Sequence, residues 1–241
     1  ALLFITPERF RVRSFINVLH QRMEMDGGLE YVVFDEAHCI SQWGQDFRPD
    51  YRNAVLTCID LRQKYDFMFA MFSATVTTQV ESDIRSFLPG IQRLGQSPKD
   101  YNPIRQHIGI SFKTTEHENE TRIRNIVQYI NEKKIDFNKS CMIVFCRTHN
   151  QCEEVADALS TICTSKEAGE ILSKCIGHIG YYHAGLDADH RNDIYEKFKR
   201  VEGVEPIYIL CATKAFGMGM DIPNVHYVVH YNPPSVLEDY L

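Results

Sequence analysis

The chain has 241 residues, enough for one large domain or two of ordinary size, and its 44% hydrophobic and 24% charged residues are an ordinary globular mix. A net charge of −6 argues against a general polyanion-binding tail, although a local basic cleft stays open because binding follows the local field. No apolar run approaches membrane-spanning length and no signal peptide opens the chain. The eight cysteines are scattered, with no pair at the two-residue spacing of a zinc knuckle or redox site. A reducing compartment is expected, without disulfides or structural metal. Both ends stop in mid-pattern, Ala1-Leu2-Leu3-Phe4-Ile5 and Glu238-Asp239-Tyr240-Leu241, so an excised fragment is expected.

Leu2 to Ile5 reads as a short strand. Thr6 is placed as an N-cap and Pro7 at the first position of a helix running to about Met25, ended by Gly27-Gly28. A buried strand over 30–34 follows and runs into Asp35-Glu36-Ala37-His38. Residues 39–52 interleave the only Trp, Trp43, with Phe47, Tyr51, Arg48 and Arg52. That mixture suits base stacking and phosphate contact on a single strand, although taken alone it better fits a loop whose aromatics tuck into a core. A helix is predicted from Asp50 to about Tyr65, a strand over 67–72 and a helix over 77–87. Residues 89–105, with Pro89, Gly90, Gly95, Pro98 and Pro103, form the best candidate linker.

A second series then begins. It has a strand at about 107–112, a charged segment and helix to about Asn131, a strand over 141–145 and a helix over 149–160. A polar insertion over 163–176 precedes a strand over 178–182, a helix over 187–200 and strands over 207–211 and 225–230. Two rounds of alternating apolar strands and helices predict two parallel-sheet α/β domains, 1–100 and 101–241.

The acidic end of the first series carries the clearest chemistry. Ligand sites in parallel sheets lie past the carboxyl ends of the strands. Asp35 and Glu36 are placed there side by side, where Mg²⁺ needs only one or two carboxylates beside its waters. The neighbouring carboxylate can then orient or deprotonate an attacking water. Taken alone, the tetrapeptide reads equally well as a metal site or as a cap on the next helix.

Several ordered stretches together resemble the RecQ-family DNA helicases of helicase superfamily 2. Thr6-Pro7-Glu8-Arg9 resembles motif Ib, and Asp35-Glu36-Ala37-His38 is similar to the DEAH form of motif II. Ser41 to Pro49 resembles the aromatic-rich loop, Ser73-Ala74-Thr75 motif III, and Val144-Phe145-Cys146-Arg147-Thr148 motif IV. Tyr182-His183-Ala184-Gly185-Leu186 resembles the segment after it, and Ala212 to Asp221 motif V. Gln45 stands where many relatives have histidine, and Ser73 where many have threonine. No G-x-x-x-x-G-K-[ST] phosphate loop occurs in these residues, and the arginine-bearing motif VI is likewise missing.

The resemblance implies two RecA-like domains, each a parallel sheet flanked by helices, with ATP and Mg²⁺ as cofactors and no zinc in this stretch. It implies Asp35 on Mg²⁺ through water, Glu36 on the attacking water, and His38 and Gln42 sensing the γ-phosphate. Ser73 and Thr75 would link the acids to the domain interface, and Gly219 and Asp221 would face the nucleotide. Thr6, Arg9, Trp43, Phe47, Arg48, Arg147 and Thr213 would contact DNA, with single-stranded and forked DNA as partners and 3′-to-5′ polarity. The setting would be intracellular, bacterial cytoplasm or nucleus, with no membrane. Without a phosphate-loop lysine, the 241 residues alone are expected to hydrolyse ATP poorly. Two other classes stay open: an RNA helicase or non-unwinding translocase, against which the aromatic-rich loop argues, and a binding scaffold with a decayed ATP site, against which Asp35, Glu36 and Thr75 argue.

Overall fold

A computed structural model describes residues 2–25, 27–41, 48–73, 76–95, 107–114, 119–217 and 222–233. The chain divides into two compact units, Ala1–Gly109 and Ile110–Tyr240.

In the first unit a 3-10 helix, Pro7–Arg11, precedes helix α1 (Arg13–Met23). Strand β1 (Tyr31–Phe34), helix α2 (Pro49–Lys64), strand β2 (Met68–Met71) and helix α3 (Thr78–Phe87) follow. β1 and β2 pair in parallel, Tyr31 beside Met68 and Phe34 beside Met71. The predicted continuous helix over 7–25 is instead broken at Val12, whose ψ of 108° is extended. Phe10 and Phe15 would point about 140° apart on one helix. The break brings their rings edge-on at 5.5 Å against the core. Arg11 grips Asp50 with both ends of its guanidinium, tying the 3-10 segment to α2.

The two-stranded sheet is covered on one face. Val32, Phe34, Phe69 and Met71 join the core with α2 and α3. Tyr31, Val33 and Met68 on the other face are 54%, 54% and 52% exposed, although parallel sheets are ordinarily covered on both. Two predicted strands do not form. Residues 2–5 and 107–112 are irregular, with Leu2, Leu3, Phe4, Ile108, Ile110 and Phe112 exposed. A continuous apolar run such as 2–5 or an alternating one such as 107–112 fits a pleated ribbon, but only a neighbouring ladder makes a strand.

The second unit comprises α4 (Asn119–Lys133), β3 (Cys141–Phe145), α5 (His149–Cys163), short α6 (Gly169–Leu172), β4 (Ile179–Tyr182), α7 (Ala188–Lys199), β5 (Ile209–Ala212) and β6 (Val225–His230). The sheet is wholly parallel, in the order β4-β5-β3-β6. β3 and β5 are central and buried on both faces, which explains their unbroken apolar runs. Met142, Val144, Ile209 and Cys211 face α4 and α5. Cys141, Ile143, Leu210 and Ala212 face Phe198 of α7 and Phe216. The stretch 163–176, read as a polar insertion, is a chain of short helical turns that bury Ala168, Leu172 and Cys175. These anchors fall at i, i+4 and i+7, a helical spacing, but in a stretch too short and too polar to read as one helix.

All eight cysteines are buried. Burial pushes the Cys58 and Cys175 thiols up to about 12 and Cys163 to about 11. Among the described residues no helix is long and apolar enough to cross a membrane.

Asp187 caps α7, accepting from His190 N at 2.9 Å and meeting His190 Nδ1 at 2.5 Å. The backbone hydrogen bond from His190 lowers the Asp187 carboxyl, and the Asp187 hydrogen bond raises the imidazole. The lowered carboxyl contributes stability at neutral pH that is lost as pH falls through its depressed value. The raised imidazole contributes stability in acid that is lost as pH climbs through its raised value. Both act together at about pH 5.5. Asp187→Ala therefore lowers the melting temperature more at about pH 5.5 than at about pH 8.5, where only the cap is lost. Thermal melts at the two pH values check this.

Candidate functional site

In the first unit the site is built where β1 ends. Backbone pairing continues past both strands: Phe72 N donates to Phe34 O and Ala37 N to Phe72 O, each at 2.8 Å. This sets residues 35–38 beside residue 73. Asp35 and Glu36 emerge exposed, while Ala37, Cys39 and Ile40 of the following 3-10 helix (Ala37–Ile40) are buried. Glu36 adopts φ 54° and ψ 48°, the left-handed region, which is strained for a residue with a side chain. That turn directs the chain off the strand and lets Asp35 Oδ1 accept from Glu36 N at 3.0 Å.

The rest of the turn is tied down from three sides. The Tyr51 hydroxyl of α2 donates to Asp35 O at 2.7 Å. Burial above all, with Asp35 and Glu36 nearby, pushes the Tyr51 phenol up, so it stays a donor. His38 Nδ1 lies 3.0 Å from Ser73 Oγ and 3.4 Å from Glu36 Oε2. Ser41, fully buried, donates its hydroxyl to Asp83 Oδ2 of α3. Arg48 N donates to Cys39 O at 3.2 Å.

Thr6 and Arg9 border a cavity of about 580 Å³ with Phe4 and Phe15. Thr6 occupies the predicted cap position but makes no side-chain cap bond; its carbonyl accepts from Arg9 N at 3.0 Å. Gln42, Trp43, Phe47, Thr75, Gly219 and Asp221 lie outside the described residues.

In the second unit, the ends of β3, β4 and β5 gather another group. Arg147 is exposed just before α5. Its backbone N donates to Gln151 Oε1 at 3.0 Å while Thr148 Oγ1 accepts from Gln151 N at 3.2 Å, a reciprocal cap. Thr213, expected to touch phosphate, is buried; its N donates to Tyr182 O and its carbonyl accepts from Phe216 N. His183 is 5% exposed, with Nε2 on Glu153 Oε1 at 3.0 Å and Nδ1 buried without a hydrogen-bond partner. Its ring stacks on His149 at 4.4 Å. A Cβ on Gly185 would meet both imidazoles at 3.0 and 3.1 Å, so only glycine fits that turn comfortably.

Sequence reasoning missed Asp83 and Glu153, and it named Tyr51 only among the aromatics of residues 39–52, without its bond to Asp35. Each sits on a helix remote in sequence from the group it holds, and no local spacing announces it.

The donor set suits a hard cation: two adjacent exposed carboxylates at a sheet end, with Asp35 able to act through a retained water shell. Among the described residues no three His, Cys, Asp or Glu side chains cluster for direct metal ligation. The strain at Glu36 predicts that Glu36→Asn, which tolerates the left-handed region, is no less stable than the parent and gains up to about 1 kcal/mol. Urea unfolding of the two chains measures this.

The DEAD/DEAH box helicase description matches residues 1–83, and the helicase conserved C-terminal domain matches residues 121–241. ATP-dependent DNA helicase Q5 of Rattus norvegicus is 32% identical over 241 residues, 99% of this chain and 23% of that protein. ATP-dependent DNA helicase RecQ of Bacillus subtilis is 31% identical over 241 residues, 99% of this chain and 34% of that protein. ATP-dependent helicase SGS1 of Saccharomyces cerevisiae is 30% identical over 240 residues, 99% of this chain and 14% of that protein. The chain therefore spans between 14% and 34% of these relatives' lengths. The solved structure of the DEAD-box helicase Mss116 bound to ssRNA and UDP-BeF aligns with 93% of this chain and 42% of that one, at 21% identity and a TM-score of 0.60. That likeness shows the RecA-like helicase fold. The chain belongs to the DEAD/DEAH box helicases with a conserved C-terminal helicase domain, and among them to the RecQ type.

Proposed function

We propose that these residues are part of the motor core of an ATP-dependent DNA helicase that moves 3′ to 5′ and serves DNA repair, recombination or replication inside the cell. Residues 1–100 would supply part of the first RecA-like domain and residues 101–241 part of the second. The observation that carries this reading is the acidic strand end, where exposed Asp35 and Glu36 stand beside a His38–Ser73 hydrogen bond.

Magnesium bound with ATP would neutralise charge developing on the phosphoryl oxygens. Asp35 would hold it through water, and Glu36 would accept the proton of the attacking water. His38 would report the state of the phosphate side to Ser73, with Gln42 and Thr75 acting beside them. Gly219 and Asp221 would border the nucleotide. Thr6, Arg9, Trp43, Phe47, Arg48, Arg147 and Thr213 would hold single-stranded or forked DNA, through stacking and phosphate contacts that position without reading sequence. Thr213 would serve through its backbone turn, since its side chain is buried.

Two measurements test the reading. The 241-residue chain lacks the phosphate-loop lysine, so its ATP turnover stays near background; robust Asp35-dependent hydrolysis by these residues alone would overturn that part. A labelled single-stranded DNA binds in a salt-dependent way, and Arg147→Ala weakens binding equally for all sequences while reducing the salt slope by about 1. An unchanged slope removes Arg147 from the contact, and preference for an RNA strand of the same sequence favours an RNA helicase.

A further inference from the structure

The 3-10 helix Ala37–Ile40 lies between the acidic pair and the aromatic-rich stretch, and it is fastened at both ends to the chain that follows β2. At its front, His38 Nδ1 meets Ser73 Oγ at 3.0 Å. At its back, the Ser41 hydroxyl donates to Asp83 Oδ2. Ser41 is 0% exposed, so water offers that hydroxyl no substitute acceptor. Asp83 is itself oriented, because its Oδ1 accepts from Gln79 Nε2 at 3.0 Å one turn earlier in α3. The N-terminus of α3 is fixed by Thr77, whose hydroxyl accepts from Val80 N at 3.3 Å. The chain that leaves Ser73 thus returns as a capped helix and grips the residue immediately before Gln42. Arg48 N donates to Cys39 O of the same 3-10 helix.

We propose that Asp83 is a positioning residue for the aromatic-rich stretch: through Ser41 it sets where residues 42–47 begin, in parallel with the His38–Ser73 bond at the nucleotide side. Asp83 contacts neither nucleotide nor DNA in this role. The consequence for DNA binding rests on the reading of Trp43, Phe47 and Arg48 as DNA contacts. The positioning itself does not.

Trp43 is the only tryptophan, so its fluorescence reads this stretch directly. The experiment compares the parent chain with Asp83→Ala, Asp83→Asn, Ser41→Ala and the Ser41→Ala/Asp83→Ala double variant. Acrylamide quenching of Trp43 is measured without DNA, and affinity is measured with an oligo(dT) strand. Asp83→Ala and Ser41→Ala each change Trp43 quenching and weaken oligo(dT) binding by about tenfold, the scale of one hydrogen bond to a charged acceptor. Asp83→Asn keeps an acceptor oxygen and retains most of the affinity. The double variant is no worse than the worse single one, because both remove the same bond. Arg147→Ala, in the other unit, weakens DNA binding and leaves Trp43 quenching in the free chain unchanged. Parent-like quenching and affinity in Asp83→Ala overturn the proposal, whatever happens to its melting temperature, and so do additive effects in the double variant. A parent chain that binds no oligo(dT) removes the DNA-contact reading, while quenching in the free chain still decides the role of Asp83.

Discussion

Two backbone hydrogen bonds, Phe72 N to Phe34 O and Ala37 N to Phe72 O, carry the pairing of the first unit one residue past β2 and three past β1. Everything at the acidic end depends on that extension. It brings the chain after β1 alongside the chain after β2, so a histidine from one and a serine from the other come within hydrogen-bond distance. It also forces the turn at Glu36 into the left-handed region. The strain is local and the supports are distributed: Tyr51 from α2 and Asp83 from α3 hold the same short stretch from outside. Such strain persists where surrounding structure over-determines it, which is the situation here.

The second unit repeats the architecture with a different balance. Its central strands are sealed on both faces, and the polar groups that matter lie where β3, β4 and β5 end. Arg147 is left exposed by a cap that uses Thr148 and Gln151 instead. His183, by contrast, is committed inward to Glu153 and His149. Neighbouring residues of one strand-end region thus divide between those that build the turn and those that face outward.

Much of this was legible in the sequence, for physical reasons that differ by element. Strands 141–145 and 225–230 form where expected: β3 is a short apolar run buried on both faces, and β6 is a short run rich in β-favouring Val and Tyr. Residues 2–5 and 107–112 show an equally good strand pattern and form none, because pairing is a property of the neighbour rather than of the segment. The break at Val12 was invisible, since it arises from Phe10 and Phe15 sharing one core and from Arg11 reaching Asp50. At the site, Asp35, Glu36, His38 and Ser73 were readable as a linear pattern. Tyr51 and Asp83 were not, because their partners lie 16 and 42 residues away along the chain.

The distribution of thiols gives the molecule an internal gauge. Cys39 and Cys58 lie in the first unit, and the other six cysteines in the second, all shielded from solvent. Folded molecules therefore present little to a thiol reagent, and each opening event announces itself by stoichiometry. Two modified sulfurs mark an excursion of the first unit and six mark the second. Mass spectrometry of briefly labelled chains would resolve which half breathes first, without any engineered reporter residue.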